Sequence, residues 1–235
     1  MIVSINQPAF IPWLGYFDRI QLSDVHIVLD HVQFEKNSVV NRNKIRTGAS
    51  WSWLTVPVQT KGLFGNLAIN SVRIDNSTNW SKKHMNALRA NYSKSPFYSE
   101  HASFFEQVFS KDWPLLYPLI EEITNYFLSV FEITTRLICS SELTTNSKGS
   151  DQIVELCKAV GGTTYISGPF GRDYLKQSAF ESEGIELLFH QYKHPEYTQA
   201  SCGFEANMSV MDLLFNVGPD SLNILKSKQS SSYTR

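Results

Sequence analysis

The sequence predicts an α/β fold built on a mainly parallel sheet with a helical insertion, and three observations carry that prediction. Short apolar runs are separated by stretches of helical spacing rather than by hairpin turns. The first thirty or so residues read strand, loop, helix, strand, the βαβ order of two parallel neighbours. Residues 80–131 repeat apolar side chains at helical intervals and read as the insertion.

The elements follow in order. Residues 2–5 form a strand stopped by Asn6-Gln7-Pro8, and a Pro-bounded aromatic loop runs over 9–13. Residues 14–22 carry apolar side chains at helical spacing, and 25–30 read as a buried strand ending in the carboxylate of Asp30. Residues 51–58 are a strand with Pro57 at its end or on an edge, and 67–75 a weaker one. A helix from Asn79 bears Trp80, Met85, Leu88 and Tyr92 until Pro96 breaks it; two more cover 97–109 and 114–131. Residues 134–139 are a strand. Ser150 caps a helix that Gly161-Gly162 stops near residue 160. Strands follow at 163–166 and 184–189. Ser209 and Asp212 resemble a capping box for a helix ending near Asn216 and Gly218, and the Ser- and Lys-rich tail 226–235 frays. With no repeat or linker, residues 1–235 are read as one domain.

Composition narrows the function classes. Lys plus Arg number 21 against 22 Asp plus Glu, a balance that excludes a broad electrostatic footprint for DNA. Three scattered cysteines without CxxC spacing read as reduced thiols of a cytoplasmic protein. The first residues lack a basic region followed by an apolar core, and no apolar run approaches the ~20 residues that span a bilayer.

Four stretches can carry chemistry. In the first, Gln7 offers an amide and Trp13 and Tyr16 offer stacking faces beside a helix start, where ligands of open α/β sheets bind; Phe10 and Phe17 read as core. In the second, Asp30 could hold a sugar hydroxyl or amine, His31 is a candidate general base, and Gln33, Asn41, Arg42 and Lys44 could contact substrate or clamp a diphosphate. In the third, Ser167 and Gly168 end a strand before a helix bearing Arg172, a small anion cradle. In the fourth, His194 is the alternative acid or base, with Tyr197 and Gln199 binding substrate; Pro195 keeps His190 and His194 off a common helix face, so no metal site is expected. The P-loop, GxGxxG and GxSxG patterns do not occur.

These residues carry a resemblance. Gln7-Pro8, then Pro12-Trp13-Leu14-Gly15-Tyr16-Phe17, resembles the N-terminal signature of the WbqC-like family. Asp24-Val25, Asp30, Val32-Gln33-Phe34, Asn41-Arg42, Tyr165-Ile166-Ser167-Gly168, His194-Pro195, Tyr197, Gln199 and Asp212 to Asn216 continue it in family order, from residue 1 to about 218. The resemblance implies association with bacterial O-antigen or capsule biosynthesis, and a suggested acyl or aminoacyl (for example glycyl) transfer to an amino sugar. The substrate would then be a nucleotide sugar, with acyl-CoA or another activated acyl donor as co-substrate; tRNA as donor carrier sits awkwardly with the charge balance. A looser architectural similarity is to HUP/nucleotidylyltransferase-like folds, although Trp13-Leu14-Gly15-Tyr16 stands where their His-x-Gly-His would be. Two other readings stay open: a non-catalytic scaffold of glycan assembly, and a nonstandard nucleotidyltransferase.

Overall fold

A computed structural model describes residues 1–63, 65–226 and 231–234. The elements are β1 (Ile2–Asn6), α1 (Leu14–Gln21), β2 (Val25–Val28), β3 (Arg42–Thr47), β4 (Ser50–Thr55), α2 (Trp80–Tyr92), α3 (Tyr98–Ser110), α4 (Leu116–Val130), β5 (Arg136–Cys139), α5 (Gly149–Ala159), β6 (Thr164–Ser167), α6 (Gln177–Glu181), β7 (Glu186–Tyr192), α7 (Val210–Val217), α8 (Ser221–Leu225) and β8 (Ser231–Thr234). Among the described residues no helix is long and apolar enough to cross a membrane.

Six strands form one sheet in the order β5-β2-β1-β6-β7-β8. All pairs are parallel except β7 with β8. The α/β fold with a mainly parallel sheet is therefore as expected. Register follows side-chain alternation. Val3 and Ile5 of β1, with Val25, Ile27, Tyr165 and Leu187, pack on Ile153, Leu156 and Cys157 of α5 and Phe180 of α6. The opposite face meets α1 and carries a polar layer unusual for a buried parallel sheet: Ser4 Oγ lies 2.7 Å from His26 Nδ1, both fully buried. Chain order reverses between β1 and β6, since β2 and β5 lie to one side and β6 and β7 to the other.

Helices α2, α3 and α4 fill residues 80–131 and share one large core with the Pro-bounded loop, α1 and α7. That loop is stitched down by backbone bonds from Phe10 N to Val39 O (3.0 Å) and from Val210 N to Pro12 O (2.8 Å). Ile11 sits within it at φ 45°, a left-handed conformation costly for a β-branched residue.

Five local expectations change. Arg42 and Lys44, expected with Asn41 to clamp an anion, lie in β3, which pairs antiparallel with β4; alternation sends Asn43 and Ile45 inward and leaves Arg42 and Lys44 on the other side. Residues 67–75 make only a 3-10 turn at Ile69–Ser71 and isolated bridges. Ser150 does not cap α5, whose cap position is Lys148; its Oγ accepts from Lys176 N at 3.0 Å. The expected capping box is absent because Asp212 spends its carboxylate elsewhere and Ser209 Oγ is enclosed without a partner. In the tail, residues 231–234 pair as β8, while 227–230 and 235 lie outside the described residues.

Candidate functional site

The carboxyl ends of the parallel strands all open on one rim, because parallel strands share a direction. That rim carries Gln7 after β1, Asp30 and His31 after β2, Ser140 after β5, Ser167 and Gly168 at β6, and His194 after β7. Strands β2 and β7 are three places apart, roughly 14 Å at sheet spacing. His31 and His194 therefore anchor separate clusters.

The His31 cluster is a continuous chain of hydrogen bonds. Asp30 accepts four donors: Ser140 Oγ (2.9 Å) and Ser141 N (2.9 Å) on Oδ1, Ser141 Oγ (2.7 Å) and Asn70 Nδ2 (3.1 Å) on Oδ2. Burial raises its carboxyl pKa, but these donors outweigh it and hold Asp30 below the ordinary value. Ser140 has one proton and gives it to Asp30, so His31 Nδ1, 2.6 Å from Ser140 Oγ, must donate. His31 Nε2 then keeps its lone pair, which accepts a hydrogen bond from Gln152 Nε2 at 2.8 Å. His31 and Gln152 line a cavity of about 520 Å³ shared with Gln33, Leu67 and Gly149. That volume suits a sugar-sized ligand. Gly149 starts α5, so the positive end of an eleven-residue helix faces the same space.

A second cavity, about 120 Å³, lies on the other side of the same strand ends, lined by Pro8, Tyr16, Tyr117, Glu121, Cys139 and others. Tyr117 Oη is 2.9 Å from Cys139 Sγ, and burial pushes the thiol pKa up, which argues against a ready nucleophile.

A scan against family models matches the WbqC-like protein family over residues 7–224. This chain belongs to the WbqC-like family. The uncharacterized protein Rv1507c of Mycobacterium tuberculosis is 34% identical over 226 residues, spanning 95% of this chain and 97% of that one. No solved structure matches this chain significantly.

The structure gives the WbqC-like signature residues different tasks. Trp13 is half-buried; its indole lies flat over Gly15, where an added Cβ would meet ring carbons at 2.4–2.8 Å, and it packs T-shaped with Tyr192, ring centroids 5.5 Å apart. Gly15 is needed for that close approach. Tyr16, offered as a stacking face, is instead buried against Phe17 and His26, although it edges the smaller cavity. Gln7 stands half-buried on the rim.

Several expected substrate contacts have internal partners. Asn41 Nδ2 donates to Val56 O (2.8 Å), bracing the β3-β4 hairpin. Arg42 donates to Asn37 O at 2.5 Å and lies 4.3 Å over Trp53, so its guanidinium is taken up within the hairpin region. Gln33 bonds Phe34 O and Leu67 N, shaping the large cavity through its loop. Tyr197 Oη (2.8 Å) and Gln199 Nε2 (2.9 Å) both donate to Asp212 Oδ2, and Tyr92 Oη (2.8 Å) to Oδ1, so these residues build a buried hub. His194 bonds Pro195 O through Nδ1 and is enclosed at Nε2; burial lowers its pKa. Ser167 is buried, its Oγ bonding Gly168 O. Arg172 lies in a 3-10 turn (Pro169–Asp173) rather than a helix, bonds Thr234 of β8 and covers Phe189, so it serves the sheet edge.

The residue that sequence reasoning missed is Arg19. It is 6% exposed, and its guanidinium lies against Gly168. No local signal singles it out, because only the fold shows that residues 14–20 of α1 are all buried and leave no wet face for a charge.

Proposed function

We propose that this protein is a transferase of bacterial surface-polysaccharide assembly that acylates the amino group of a nucleotide-linked sugar, with His31 as general base. The hydrogen-bonded chain Asp30–Ser140–His31 at the mouth of the 520 Å³ cavity carries this reading. It fixes the tautomer whose Nε2 can accept a proton, as a base needs. The sugar amine would displace the Gln152 amide from Nε2. Its nitrogen would attack the acyl carbonyl carbon, His31 would take the ammonium proton as the C–N bond forms, and the same proton would pass to the departing thiolate. The amides at the start of α5 are suitable donors for the carbonyl oxygen as it gains charge.

The test is mass spectrometry of UDP- and dTDP-amino sugars incubated with acyl-CoA and aminoacyl donors. The expected result is an acyl mass shift on one sugar, with the rate falling by about 10² to 10⁴ in His31→Ala. No shift across the panel, or a His31→Ala enzyme as fast as wild type, would overturn the proposal.

A further inference from the structure

We infer that the switch point between β1 and β6 is an oxyanion site whose cation is Arg19, and that its ligand is the phosphoryl group of the nucleotide substrate. Arg19 lies in the last turn of α1, below the rim, but helical side chains lean toward the helix N-terminus, which here points up to the rim. A Cβ built on Gly168 would stand 2.5 Å from Arg19 Nη1, so the guanidinium fills the space a side chain at 168 would take. Gly168 follows β6 where the strand order reverses, and Gln7 follows β1 beside it. Open parallel sheets bind ligands at that crevice.

The guanidinium has a deficit that the fold does not fill. Its Nε is enclosed without an acceptor, and its terminal nitrogens, not sealed as Nε is, find no hydrogen-bond acceptor among the described residues. The titratable groups whose charge it feels are Tyr165, Tyr16, Tyr174 and Asp18, and its own charge acts on His26. Asp18 is engaged with His190, Oδ2 to Nε2 at 2.7 Å, both buried. A buried cation needs a counter-charge, and a planar guanidinium matches the paired oxygens of phosphate or carboxylate. Position at the switch point favours phosphate. The assignment replaces Arg172, whose guanidinium is occupied at the β8 edge.

The inference rests on the nucleotide-sugar reading for the identity of the ligand, but it is tested by binding alone. Thermal melting would be followed in phosphate-free buffer with added UDP, UMP, uridine, inorganic phosphate or acetate, for wild type, Arg19→Met, Gly168→Ala and His31→Ala. Wild type is expected to melt higher with UDP than with UMP, and unchanged with uridine. Inorganic phosphate alone matching UDP would assign the site to free phosphate, and acetate matching it to a carboxylate; either would overturn the nucleotide assignment. Arg19→Met should melt no lower than wild type without ligand, because it keeps the apolar stem and removes an unpaired charge, and should lose the UDP shift. Gly168→Ala pushes on the guanidinium without deleting it and should weaken UDP binding at least tenfold. His31→Ala should keep the UDP shift, so that a failed transfer assay and a failed anion site are told apart. A lower melt of free Arg19→Met would show that the guanidinium is already satisfied inside the fold. A UDP shift surviving in Arg19→Met, undiminished in Gly168→Ala, or absent from wild type would overturn the site.

Discussion

Asp212 and Arg19 are both charged side chains buried beside the same helical core, and their surroundings are opposite. Asp212 collects hydroxyl protons from Tyr92 and Tyr197 and an amide proton from Gln199. Arg46, which bonds Cys202 O at 2.8 Å, adds positive charge nearby. Arg19, like Arg42 and Arg46, has an enclosed Nε with no acceptor, but where Arg42 and Arg46 spend their terminal nitrogens on backbone carbonyls, those of Arg19 find no acceptor among the described residues. A charge that holds a fold together is finished within the fold; a charge left open at a strand-end crevice is held ready for something that arrives. The difference separates the hub from the rim, although the signature motifs run through both.

The largest effect expected from this contrast is on stability. Asp212→Ala strands three buried donors and should cost about 3 to 5 kcal/mol in urea unfolding. Arg19→Met should cost almost nothing in the same experiment. Equal losses for the two variants would erase the distinction.

The two buried aspartates also divide by pH. Hydrogen bonds hold the Asp30 carboxyl below its ordinary value, so its stabilisation is present above the unfolded pKa of about 3.9 and is lost as pH falls through the folded pKa. Burial raises Asp212 in spite of its donors. Its contribution is therefore complete below about 3.9 and is lost as pH rises through its raised value. Urea stability of Asp30→Asn and Asp212→Asn, each compared with wild type between pH 3 and 7, should show differences of opposite slope. The same slope for both would mean that one direction is misjudged.

The fold was more legible in the sequence than the site, for a physical reason. Short apolar runs such as residues 2–5 and periodic helices such as 114–131 announce themselves locally. The β3 strand did not, because Arg42, Lys44 and Arg46 conceal the inward alternation of Asn43 and Ile45. Site geometry is non-local. His31 stood out by type and position, but its relay depends on Ser140, 109 residues away. Tyr197 and Gln199 looked like substrate contacts because nothing in their neighbourhood reveals that Asp212 consumes their donors. Arg19 was invisible for the converse reason: a charge beside Asp18 in a short helix looks solvated until both helix flanks are seen to be covered.

Within the rim, Ser140→Ala separates relay from base. It leaves the His31 ring in place but removes the acceptor that fixes its tautomer, so kcat should fall about tenfold or more with KM little changed. A fall as deep as that of His31→Ala would make Ser140 a reacting group rather than a positioning residue.

The smallest effect belongs to the outer face of the hairpin, the region first read as a phosphate clamp. There Arg42 lies 4.3 Å over Trp53, and Lys44 lies 4.0 Å over Trp51 and 5.6 Å over Trp53. Trp53 is 38% exposed, so these are wet cation–π contacts, each worth about 0.5 to 1 kcal/mol. Trp53→Ala should lower urea stability by about 1 kcal/mol. Arg42→Ala should do no more, and should leave the UDP-induced melting shift intact, because its guanidinium is already engaged by Asn37 O and the indole. Loss of the UDP shift in Arg42→Ala would move the anion site from the sheet to the hairpin and make the open guanidinium of Arg19 a feature without a ligand.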